Sequence, residues 1–129
     1  MTRVSIPISV GELWDKYTIL LIKSKKITCP DKLLLINHEI QELQPFINQY
    51  SLNKEIIDEL YNINTTLWEL EDKIREKDNE NDFGNEFISI SKSIYVMNDK
   101  RYETKREINT IHNSNIMEVK SYKKYNSNI

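Results

Sequence analysis

Seven apolar residues, Leu52, Ile56, Leu60, Ile63, Leu67, Leu70 and Ile74, recur at intervals of four and three through the middle of this chain. That period lays one apolar stripe along one side of an α-helix for three heptads, a pattern of bundle or coiled-coil packing. In water such a helix gains most of its stability from packing its stripe on other helices. The rest of the chain must therefore supply matching helical faces. A second row, Ile57, Tyr61, Asn64, Trp68, Glu71 and Arg75, flanks the stripe. With Ser51 as its cap, this helix is predicted over about residues 52–78.

Upstream, Ser9 and Glu12 make a capping-box pattern, S-x-x-E, and start a helix predicted over residues 10–27. Leu13, Trp14, Tyr17, Leu20 and Leu21 cover one face, and Ile19 and Ile22 extend it nearly all round. A helix this apolar is expected to be the most buried one. Gly11 allows close backbone approach in its first turn, and Asp15 and Lys16, if buried there, need partners. Before it, Val4, Ile6 and Ile8 alternate with Arg3, Ser5 and Pro7, which predicts an extended arm over residues 1–8. One strand is not stable alone, so the arm lies across the helices or pairs with a second chain. Thr28-Cys29-Pro30-Asp31 signals a turn and a new helix start. That second helix is predicted over residues 31–44, with Leu33, Ile36, Ile40 and Leu43 as its stripe and Pro45 bending or ending it.

The fourth helix is predicted over residues 83–112, after a polar connection from Lys77 to Asp82. Its stripe is Phe83, Phe87, Ile90, Ile94 and Met97, then Ile108 and Ile111. Between Met97 and Ile108 the stripe runs through Arg101 and Thr104 or Lys105, where a plain bundle helix carries Leu or Ile. Such departures from the local rule tend to mark functional or strained positions. The candidate ligand residues are Glu71, Arg75, Asn98, Asp99, Arg101, Lys105, Arg106 and Asn109. Two readings stay open: a salt-bridge network that fixes helix register, and a site for an anionic small molecule. For Arg101 the expected acceptors are Glu71 first and Asp99 second. Beyond the helix, Asn113-Ser114-Asn115 breaks the pattern and opens a tail over residues 113–129. Met117, Val119, Tyr122 and Tyr125 are spaced there for one more amphipathic turn or two, and residues 126–129 are expected to fray.

At 129 residues the chain is expected to be one domain, residues 1–129. A net charge of −2 with mixed signs gives no basic surface for nucleic acid. No apolar run approaches a membrane span of about 20 residues, and no secretory signal is present. Cys29 is the single cysteine, so no intramolecular disulfide or cysteine zinc set forms, which fits a cytoplasmic setting. The chain has no Gly-rich phosphate loop, G-x-S-x-G or H-E-x-x-H. His38 and His112 carry no ligand pattern, and Cys29 has no histidine near in sequence to activate it. Glu39-x-x-Glu42 and Glu55-x-x-Asp58 fit the spacing of all-α nucleotide pyrophosphohydrolases, but solvated helix faces account for them better. No metal and no cofactor are expected.

The runs VSIPISVGELWDKYTILLIKSKKI, INTTLWELEDKIRE and FISISKSIYVMNDKRYETKREIN, then S-x-x-x-E-V-K-S-Y, resemble a family of small bacterial and viral proteins known only as a domain of unknown function. The resemblance spans nearly the whole chain. Its most specific parts are the S-x-G-E-L-x-D-K start, with Val10 a minor departure, and the N-D-x-R-x-x-x-K-R-x-I-N block. It implies no catalytic residues and associates the chain only loosely with surface-polysaccharide assembly. Together these features predict an all-α fold of antiparallel helical hairpins, a four-helix bundle with a short extended amino-terminal arm. The apolar faces exceed what four short helices cover, which predicts a homodimer. Three functions fit: a non-catalytic accessory or binding module, a helical-bundle enzyme on an anionic substrate in the style of chorismate mutase, and a metal-dependent nucleotide pyrophosphohydrolase.

Overall fold

The computed structural model describes residues 2–123. Four helices follow one another: α1 (Val10–Lys26), α2 (Pro30–Gln49), α3 (Lys54–Asn79) and α4 (Asn85–Ile111). No strand forms among the described residues, and no helix there is long and apolar enough to cross a membrane. The all-α fold predicted from sequence is the observed one. The expected fraying of residues 126–129 and the place of Tyr125 fall outside the described residues.

The helices make two hairpins that meet at α1. It packs against α2, α3 and α4, whereas α2 packs against α1 alone among the helices. α3 and α4 form the second hairpin, and α1 lies across both of them, antiparallel to α4. Val10, Leu13 and Trp14 of α1 meet Ile47, Ile56, Leu60 and Ile108 in one apolar core. The heptad stripe of α3 is thus spent on this junction: Ile56, Leu60, Ile63 and Leu67 are buried. Trp14 donates from Nε1 to the Tyr50 carbonyl at 2.8 Å, and His112 donates from Nε2 to the Ser51 carbonyl at 2.8 Å. These two bonds tie the α2–α3 connection to the core.

Ser9 caps α1 as expected, its Oγ accepting from the Glu12 amide at 3.1 Å. α3 starts later than predicted. Asn53, not Ser51, is its cap, with the side chain accepting from Ile56 N at 3.0 Å. Pro45 does not end α2, which runs on to Gln49. A proline inside a helix removes one hydrogen bond, but Ile47 and Tyr50 beyond it are anchored on α1, and that packing carries the helix past it. Both α3 and α4 close with an asparagine at positive φ, Asn81 at 56° and Asn113 at 51°. Asp82 N bonds the Lys77 carbonyl and Ser114 N bonds the Asn109 carbonyl, the six-to-one link of a Schellman turn. The extra amphipathic turn expected after α4 is not there: residues 115–123 hold no helix. Glu118 of this segment accepts instead from Lys105 of α4.

The candidate site is a buried polar seam

The polar interruption in the stripe of α4 faces inward. Arg101, Lys105 and Asn109 stand four residues apart, one turn above another, on the side that meets α1. Opposite them α1 presents Asp15, Glu12 and Gly11, in reverse order because the helices are antiparallel. Arg101 binds the Asp15 carboxylate through two bonds, Nε to Oδ1 at 2.9 Å and Nη2 to Oδ2. Asp15 is 1 % exposed. Its Oδ1 also accepts from Asn64 Nδ2 of α3 at 3.0 Å, and the same Nδ2 reaches Thr18 Oγ1 at 2.9 Å. One carboxylate therefore joins three helices.

One turn along, Lys105 Nζ donates to Glu12 Oε2 and to Glu118 Oε2, both at 2.9 Å, and lies 4.0 Å from Asp15 Oδ2. At the end of the seam Asn109 Oδ1 accepts from Gly11 N at 2.6 Å, and Ser114 Oγ accepts from Val10 N at 2.9 Å. The first amides of α1 are thus taken up by Ser9, Asn109 and Ser114, groups that α1 itself cannot provide. A Cβ on Gly11 would stand 2.5 Å from the Lys105 carbonyl oxygen, so glycine is what lets the helices touch here. Every buried side-chain nitrogen and oxygen among the described residues has a hydrogen-bond partner.

The electrostatics follow from these pairs. The bonds to Asp15 hold the Arg101 guanidinium above its ordinary pKa, against the opposing pull of burial. Burial works against the charge on Lys105 too, but its bonds to Glu118 and Glu12 outweigh it and the pKa is raised. For Glu118, burial pushes up and the bonds from Lys105 and Lys120 overcome it, so the carboxyl sits below its usual range. All three groups stay charged at neutral pH. The ions satisfy one another, so none is left free to act as acid, base or electrophile.

Of the eight residues singled out in sequence, the seam brings together Arg101, Lys105 and Asn109. The others lie elsewhere. Glu71 and Arg75 form an i, i+4 pair on the surface of α3, with 3.8 Å between Nη2 and Oε2. Arg106 points outward and donates to Tyr102 Oη at 3.0 Å. Asn98 and Asp99 line an open groove of about 390 Å³ beside Tyr95 and Tyr122. Glu71 and Asp99 are therefore not the acceptors of Arg101; Asp15 is. The reason is register. Glu59 and Thr104 are partners across the α3–α4 hairpin, so positions summing to about 163 face each other. Arg101 falls at the level of about Asn62, and Glu71 lies nine residues beyond that level, about 13.5 Å along α3.

Sequence reasoning did not place Asn64, Thr18, Ser114 or Glu118 in the candidate site. It noted that Asp15 would need a partner without connecting it to Arg101, though both break an apolar face. A second groove, about 420 Å³ between α3 and α4, is lined by Glu59, Asn62, Met97, Lys100 and Glu107 among others. Neither Arg101 nor Lys105 borders either groove. The carboxylates with pyrophosphohydrolase spacing do not converge. Glu39 pairs with Lys16, Glu42 with Arg3, and Asp58 with Lys54, on helices that do not pack together. No group of three or more His, Cys, Asp or Glu side chains suited to a metal ion exists among the described residues.

The seam draws one residue or more from each of the four resembling runs: Asp15, Asn64, Arg101 and Glu118. A family of unknown function (DUF6165) matches residues 4–129. The chain belongs to that family. No curated protein and no solved structure matches it. In this member, the S-x-G-E-L-x-D-K start and the N-D-x-R-x-x-x-K-R-x-I-N block are the two sides of one helix contact.

Proposed function

We propose that the chain is a small non-catalytic accessory or binding module. The observation that carries this reading is the pairing of Arg101 and Lys105 with Asp15, Glu12 and Glu118 inside the fold. An enzyme that positions an anionic substrate needs such cations aimed into an open pocket. Here they bind three helices and the tail together. A setting in cytoplasmic steps of surface-polysaccharide assembly accords with the family resemblance and belongs to the same proposal. So does a homodimer formed through α2. Leu34 and Leu35 on the outer side of that helix are 71 % and 73 % exposed, with Phe46 exposed on the same helix. Val4, Ile6 and Ile8 of the arm, held to α2 by the Arg3–Glu42 pair, are also exposed.

The test compares melting temperatures of the wild type, Arg101→Met and Lys105→Met, with and without a panel of sugar nucleotides, phosphates and dicarboxylates. A structural seam gives two less stable variants and no ligand-dependent rise in the wild type. Variants more stable than wild type, together with a wild-type ligand shift that they lose, would overturn the reading in favour of a strained substrate site.

A further inference from the structure

The seam is built of helices on three sides and of an irregular segment on the fourth. That segment, residues 114–123, is held through Ser114, Glu118 and Tyr122. Ser114 bonds Val10 N, Glu118 bonds Lys105, and the Tyr122 ring meets Tyr102 edge-on with centroids 6.2 Å apart. Its apolar residues do not anchor it: Val119 is 83 % exposed, and Ile116 and Met117 are exposed as well. Beneath its far end lies the open groove beside Tyr95 and Asn98. Among the described residues, Glu118 is thus the one carboxylate on Lys105 that does not come from a helix.

We propose that residues 114–123 form a strap, and that Glu118 occupies the place of an anionic ligand, a carboxylate or a phosphate, on Lys105. Four features carry this. Lys105 is 7 % exposed with the strap in place, so lifting the strap uncovers an ammonium group whose remaining helical partner is Glu12 at bonding distance. The bond that Lys105 donates to Glu118 shows that an oxyanion fits against Nζ with good geometry. Arg101, fixed on Asp15 with its side chain 30 % exposed, adds positive potential at the rim without leaving its partner. Lys120, which pairs with Glu118 at 3.0 Å, leaves with the strap and compensates the released carboxylate. The exchange is non-covalent: one anion replaces another on the same cation, and strap opening is the cost that weakens binding to the intact chain.

This inference rests on the binding-module reading and names its ligand class, and its test is separate. Melting temperatures of the wild type, Glu118→Ala and Glu118→Ala/Lys105→Met are measured in sodium chloride and, at equal ionic strength, in inorganic phosphate or succinate. In chloride, Glu118→Ala is expected to melt below the wild type. Phosphate or succinate should then raise it by about 3 °C or more, while the wild type and the double variant stay put. Equal shifts in wild type and Glu118→Ala, a shift that survives in the double variant, or no shift at all would overturn the proposal. So would a Glu118→Ala chain without helical circular dichroism, because a removable strap is not required for folding. Silence of Glu118→Ala leaves the binding-module reading standing; that reading depends on the Met variants instead.

Discussion

The inner face of α4 and the outer face of α2 break the same rule in opposite directions. α4 carries Arg101 and Lys105 where a bundle helix has leucine, and α2 carries Leu34 and Leu35 where it has lysine or glutamate. The inner exception is resolved within the chain. Asp15, Glu12 and Glu118 supply the countercharges, and Asn64 and Thr18 use the remaining bonding capacity. For the outer exception no partner among the described residues covers the leucines. A misplaced charge must find its partner at folding, because an unpaired buried ion costs several kcal/mol. A misplaced leucine at the surface forgoes only about 1.5–3 kcal/mol of burial, so a chain can leave it for an encounter with something else. That is why we read the seam as architecture and propose the α2 face as a contact surface.

The comparison breaks hardest at Asp15. Asp15→Ala leaves Arg101 without its partner and weakens the hold on Asn64, and should cost about 3–5 kcal/mol of unfolding free energy in urea. A loss under 1 kcal/mol would mean that the seam is decorative. Because Asp15 is buried while Arg101 is partly exposed, Arg101→Leu alone should not be neutral: it strands a buried carboxylate. The paired change Asp15→Met/Arg101→Met removes both charges and should recover roughly 2 kcal/mol relative to the sum of the single changes.

Gly11→Ala comes next. Its methyl group would press on the Lys105 carbonyl, a backbone atom, so α1 and α4 must separate. The expected loss is about 2–3 kcal/mol, read from the same urea midpoints. A wild-type midpoint would show that the helices are not held in contact at this position.

The seam should also respond to pH, more gently. The Glu118 carboxyl is held below its ordinary value of 4.5 in the fold. Its contribution is therefore complete above that pH and is lost as pH falls through the lower, folded value. Lys105 is held above 10.5, so its contribution is complete below that value and is lost as pH rises through the higher, folded one. Strap amides should accordingly lose hydrogen-exchange protection in acid before the helices do, and Lys105→Met should remove the difference. Uniform loss across strap and helices would argue against a separate strap.

The smallest effect on folding is expected on α2. Leu34→Lys/Leu35→Lys should change stability by no more than about 0.5 kcal/mol. The same variant should convert a dimer to a monomer in sedimentation at tens of micromolar. A wild type that is already monomeric there would remove the contact-surface half of the comparison.

The periodicities of α1, α3 and α4 made the helices and the inward course of Arg101 and Lys105 legible in the sequence, because a period of 3.6 residues decides which side chains share a face. The capping pattern at Ser9 was legible too, since an S-x-x-E bond spans a single turn. What the sequence left open was who meets whom across helices. Asp15 and Arg101 are separated by 86 residues, and their pairing depends on where α1 settles along α4, which Gly11 and the packing of Leu13 and Trp14 fix. The distance of Glu71 from Arg101 follows from the hairpin turn at residues 80–84, a register that local propensity does not specify. Glu118 lay in a tail whose apolar spacing suggested a helical turn that does not form. Local chemistry acts within a turn of helix and is written in the order of residues. A buried ion pair joins distant segments, and the folded backbone chose its partners.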